Sequence, residues 1–298
     1  TETNFTGAKW VNGVSVCQPG SIGLCNFEFK VHDVNLSSTS SKIAISNDGN
    51  FVVTFVLGVY GGFGDVLAQK YDFTGSPVGS DFTVNTYGVT FFSVQTHPSI
   101  AMDSIGNFVI VWQSGDYQET GSMQDGSGSG VYAQRYNSTG LPVGSEFRVN
   151  TYTTNDQSNP SVAMDNDGDF VVTWESGYSF RGQDGSKQGI YAQRYKSDGS
   201  TNGSEFRVNT YTTAPQQNPA IAMDNDGDFV VTWGSYQENC VNNGFGGYNC
   251  DKGIYAQRYD STGSSIGSEF RVNTYIANNQ QYSSVAMDND GDFVVTWE

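Results

Sequence analysis

The chain has 298 residues, with 31 Asp and Glu against 14 Lys and Arg, a formal net charge of −17. Such a surface repels phosphate and anionic lipid, so no nucleic-acid partner is expected, and no apolar run is long enough for membrane insertion. Only 2 His leave little room for His-based metal or triad chemistry, while 36 Gly and 14% aromatic residues mark a β-rich, turn-rich chain.

The first readable segment, WVNGVSVCQPGSIGLCNFEFKVHDV at 10–34, predicts two strands around a Gly-rich turn. Cys17 and Cys25 lie eight residues apart there, a spacing that suits a bridge across a hairpin and offers no zinc ligand set. From residue 42 onward one unit of about 60 residues repeats. Its first half reads KIAISNDGNFVVTFV at 42–56, SIAMDSIGNFVIVWQS at 99–114, SVAMDNDGDFVVTWES at 161–176, IAMDNDGDFVVTWGS at 221–235 and SVAMDNDGDFVVTWE at 284–298. Its second half reads VLAQKYDFTGSPVGSDFTVNTY at 66–87, then GVYAQRY…GSEFRVNTYT at 130–153, GIYAQRY…GSEFRVNTYT at 189–212 and GIYAQRY…GSEFRVNTY at 253–275.

Each unit predicts four strands. Strand A is the SVAM run and strand B the FVVTW run, joined by an Asn-Asp-Gly turn suited to a bulged hairpin. Strand C is YAQRY and strand D is EFRVN. In B, Phe170, Val172 and Trp174 face one way and Val171 and Thr173 the other, so both faces meet a neighbouring sheet. Four antiparallel strands per unit describe an all-β β-propeller. Its blades are 42–86, 99–151, 160–210 and 219–273, with a fifth split between a C–D half at 10–34 and an A–B half at 283–298. An open linear array of the same blades is the alternative. Residues 1–298 read as a single repeat domain.

Candidate sites follow from the repeat. Asp165, Asp167 and Asp169 recur as Asp224, Asp226, Asp228 and Asp288, Asp290, Asp292, alternating carboxylates around a glycine that can converge on Ca²⁺. The competing reading is plain turn chemistry. The fourth unit carries an insertion with Cys240, Cys250, Phe245 and Tyr248; a Cys240–Cys250 bridge and a Cys17–Cys25 bridge imply an oxidising compartment. Sequons at Asn4, Asn35, Asn137 and Asn202 fit a secreted glycoprotein. Arg135, Arg194 and Arg258, with Arg148, Arg207 and Arg271, suggest hydrogen bonds between blades or ion pairs with Glu146, Glu205 and Glu269. His97 fills a slot that Asn159 and Asn218 occupy before proline, and reads as a turn residue.

The VAMDxDGDFVVxW…GIYAQRY…GSEFRVNTYT string resembles blade-like repeats of large secreted bacterial proteins, often adhesin-like and often beside calcium-binding tracts. That resemblance implies an extracellular propeller. The acids recur at equivalent positions in every unit, whereas a catalytic pair belongs to particular blades, so no catalytic or cofactor-binding residue is expected beyond possible Ca²⁺. The expected role is a non-enzymatic structural or adhesive surface protein whose partner is itself, in a filament or oligomer. The alternative is a lectin-like module binding cell-surface glycans, and a glycosidase stands behind both.

Overall fold

The computed structural model describes residues 13–15, 28–31, 37–59, 63–87, 93–116, 124–177, 182–185, 187–242 and 248–298. Every regular element in them is a strand. β1 (Gly13–Ser15) pairs with β2 (Glu28–Lys30). The first complete unit holds β3 (Ser37–Ile45), β4 (Phe51–Val59), β5 (Phe63–Tyr71) and β6 (Phe82–Thr83). The second holds β7 (Ser93–Met102), β8 (Phe108–Asp116), β9 (Gly130–Tyr136) and β10 (Pro142–Arg148). The third holds β11 (Gln157–Met164), β12 (Phe170–Ser176), β13 (Gly189–Tyr195) and β14 (Phe206–Arg207). In the fourth, β15 (Gln216–Met223), β16 (Phe229–Asn242), β17 (Tyr248–Tyr259) and β18 (Ser265–Arg271) make the sheet. β19 (Ser284–Met287) and β20 (Phe293–Thr296) end the chain as a hairpin.

Within each complete unit the strands run A-B-C-D, all antiparallel. The A strands β3, β7, β11, β15 and β19 lie side by side from unit to unit, so A is the inner strand. A lone parallel bridge from Gly64 to Val94 also links the first sheet to the second.

The two-faced pattern of strand B is what packs one blade on the next. Phe170, Val172 and Trp174 are buried against Val109, Val111 and Ala133 of the preceding blade. Val171 on the opposite face packs with Ile221, Phe229 and Trp233 of the following one. Each blade also stacks its first B-strand aromatic on a C-strand tyrosine: Phe108 on Tyr136, Phe170 on Tyr195 and Phe229 on Tyr259, all at 4.8 Å between ring centres. The tyrosine hydroxyl then reaches back, Tyr195 to the Val149 carbonyl at 3.3 Å and Tyr259 to Val208 at 3.4 Å. Tyr71 donates to Val31 at 3.4 Å in the same way, so the segment after β2 meets the first blade as a D strand would.

The seam between β19–β20 and the first blade differs from the internal interfaces. Ile100 and Ile221 of the A strands are 7% and 8% exposed, but their counterpart Ile43 is 53% exposed, and Val294 is 68% exposed where Val230 is fully buried. Among the described residues no ladder joins β20 to β1.

Candidate functional site

Every complete blade breaks its A–B register near the start of strand A, between Thr39 and Lys42, Thr96 and Ser99, Ser158 and Ser161, and Gln217 and Ala220. The extra residue of each bulge takes a left-handed backbone: Ser40, His97, Asn159 and Asn218, with φ between 50° and 55°. Tyr282 repeats this at φ 55° in the last half unit. Because the A strands lie innermost and side by side, these residues gather at one end of them and the Asp turns at the other.

At the bulge end the residue after the B-strand Trp sets the chemistry. It is Gln113, Glu175 and Gly234 in successive blades and Glu298 after Trp297. Gln113 Oε1 accepts the Asn159 N–H at 3.3 Å. Glu175 takes the same place one blade on. Its Oε1 accepts the Asn218 N–H at 2.5 Å and the Asn159 Nδ2 at 2.8 Å, and no described residue donates to Oε2. Glu175 is 4% exposed. Burial raises its pKa above the ordinary value, against the opposing pull of the two donors and the nearby Lys252 charge.

Lys252 comes from the long β16–β17 hairpin that the insertion creates. Gly234 makes room for it: a Cβ there would lie 2.8 Å from the Lys252 Cδ. Its Nζ donates to Gln217 Oε1 at 3.2 Å and stands 4.8 Å from the Tyr236 ring centre. Cys240 and Cys250 are bridged across this hairpin, as expected. His97 touches Thr96 Oγ1 at 3.1 Å; partial desolvation and then the Lys42 charge hold its imidazole below its ordinary value.

Other expected sites fall elsewhere. Asp165 Oδ1 accepts the N–H groups of Asp167 and Asp169, both at 2.9 Å. Asp224 and Asp288 do the same for Asp226, Asp228 and Asp290, Asp292. Asp169 and Asp228 accept from Ser197 and Ser261 of the neighbouring C–D turns. Among the described residues no three His, Cys, Asp or Glu side chains converge as a metal site. Asn137 and Asn202 sit half-buried on C–D turns, while Asn4, Asn35, Cys17, Cys25 and Phe245 lie outside the described residues.

The arginines work differently from one another. Arg135 reaches the Ser197 and Asp198 carbonyls of the next blade, and Arg194 those of Ser261 and Thr262. Arg148 and Arg207 bond within their own blades, to the Asn150 and Asn209 carbonyls. The expected Glu146 and Glu205 ion pairs give way to hydrogen bonds: these glutamates take Thr86 and Thr151 of the preceding blade. Arg271 does form an ion pair, but with Glu238 at 3.2 Å. Sequence reading missed the reason for this. Asp125 and Asp184 of the Gln-Asp-Gly loops lie beside Gly130 and Gly189, and Glu238 of the insertion occupies the same place beside Gly253.

No family model matches the sequence, and no curated protein does. The fold does have solved counterparts. An α-L-arabinanase from Penicillium chrysogenum, solved with arabinobiose, superposes with a TM-score of 0.56 at 11% identity, over 87% of this chain and 74% of that one. The α-L-arabinofuranosidase Arb93A from Fusarium graminearum, solved with an iminosugar inhibitor, gives 0.56 at 10% identity, over 88% and 76%. Both are five-bladed β-propeller glycoside hydrolases, so the all-β propeller expectation holds. The expectation of a non-enzymatic structural or adhesive filament protein is corrected: the solved proteins that share this fold are glycoside hydrolases. The premise behind it also fails, since Glu175 stands where two of the other complete blades have Gln113 and Gly234.

Proposed function

We propose that this protein binds an oligosaccharide at the bulge end of its A strands and hydrolyses a glycosidic bond there, with Glu175 as the general acid. The observation that carries this reading is the buried carboxyl of Glu175, held at the bulge end by two donors to a single oxygen, with burial raising its pKa in the direction a general acid needs. Gln113 makes the same contact to the next bulge, so packing alone does not call for an acid. Glycosidic hydrolysis needs two carboxyl groups. Glu298, at the same register in the last half unit, is the second.

In this reaction the Glu175 proton passes to the leaving glycosidic oxygen as the bond to the anomeric carbon breaks. Water adds to that carbon and gives its proton to Glu298. Lys252 acts on Glu175 through its charge, and the bulge residues supply polar groups to sugar hydroxyls. The likeness to an arabinanase and an arabinofuranosidase supports arabinose-containing glycans as the first substrates to try.

Reducing-end release from linear arabinan and a panel of other plant glycans tests this. The unsubstituted protein should act on at least one of them. Glu175→Gln should lose at least about a hundredfold, the typical weight of a general acid, and still bind arabinobiose. No hydrolysis across the panel, or full activity in Glu175→Gln, would overturn the reading.

A further inference from the structure

Among the five bulge residues at this end of the A strands, Tyr282 breaks the chemical pattern. A left-handed backbone suits Asn, whose short side chain bonds locally, and Asn159 and Asn218 fill the position in two blades. A bulky ring at φ 55° is strained, and strain of this kind persists where something holds it. The neighbours on either side do hold it. Gln281 and Glu298 exchange two backbone hydrogen bonds, at 3.0 and 2.9 Å, and the Ser283 hydroxyl meets that of Thr232 in the fourth blade at 3.0 Å.

The ring does not earn this strain by packing, because Tyr282 is 57% exposed. In the repeat register its bulge follows that of Asn218, which Glu175 reaches by a hydrogen bond, and Glu298 of its own half unit pairs with the adjoining Gln281. An exposed aromatic on a rigid sheet edge, beside hydrogen-bonding groups, offers an apolar face with a polar tip. That combination fits the C–H face and hydroxyl rim of a sugar ring. We infer that Tyr282 is the platform on which the glycan stacks, a specificity-determining residue of the Glu175 site. The inference rests on the glycan reading above and names the residue that fixes how the sugar lies.

The test substitutes the residue that two other blades use. Tyr282→Asn should weaken arabinobiose binding, measured by calorimetry, at least about tenfold, with a melting temperature unchanged or higher because the strain is relieved. Tyr282→Phe should bind within a few-fold of the unsubstituted protein. Undiminished binding by Tyr282→Asn overturns the platform while leaving the glycan reading intact. A fall in melting temperature for Tyr282→Asn, with binding lost in proportion, makes the ring structural and also overturns it. Absence of arabinobiose binding by the unsubstituted protein removes the glycan reading, and this inference with it.

Discussion

Glu175 Oε1 stands 2.5 Å from the backbone nitrogen of Asn218, so a carboxyl from one blade closes on the bulge of the next. Its folded pKa is raised, chiefly by burial. A carboxyl of this kind favours the fold while protonated, and that contribution is lost as pH rises through the folded pKa. Glu175→Gln keeps the shape and removes the titration. Thermal melts from pH 4 to pH 8 should therefore show the variant gaining on the unsubstituted protein as pH rises. A constant difference across that range would contradict a raised pKa for this carboxyl.

Trp174 is fully buried while Trp297, at the same B-strand position, is 41% exposed. Trp174→Ala should cost about 3–5 kcal/mol in denaturant unfolding, and Trp297→Ala far less. Equal losses would mean that the terminal half unit is packed like an internal blade.

Val294 and Ile43 are the uncovered counterparts of residues that meet at each internal interface, as Val171 meets Ile221. Closure of the split blade within one chain brings them together. Cysteines placed at Val294 and Ile43 should then cross-link within a monomer through a short bismaleimide, as a Val171 and Ile221 control pair does. Cross-linked dimers, or no product beside a positive control, would speak against closure in one chain.

The turn acids give a clear thermal test. Oδ1 of Asp165, Asp224 and Asp288 already accepts two backbone N–H groups. If these carboxylates serve as turn closers, millimolar calcium leaves the melting temperature where it was. A rise, reversed by chelation, would place a cation there through linkage to the folded state.

The architecture was legible because repetition exposes it: FVVTW alternates on both faces, and a strand buried on both faces needs a sheet on either side. The site was not legible for the same reason. Glu175 sits in a string, FVVTWES, whose repetition draws the eye to the Asp turns, and only a column-by-column comparison with Gln113 and Gly234 singles it out. Tyr282 hides likewise among the Asn and His of its column, because its meaning lies in a positive φ that the sequence does not print. The equivalence of Glu238 with Asp125 and Asp184 was beyond reach, since a change of loop length moves the acid from loop to strand.

A high-resolution structure of the protein saturated with arabinobiose tests the central claim most directly. The disaccharide should lie at the bulge end of the A strands, with a glycosidic or hydroxyl oxygen within hydrogen-bond distance of Glu175 and a sugar ring over Tyr282. Sugar bound only at the outer blade surfaces, or a bulge end holding solvent alone at saturation, would contradict it.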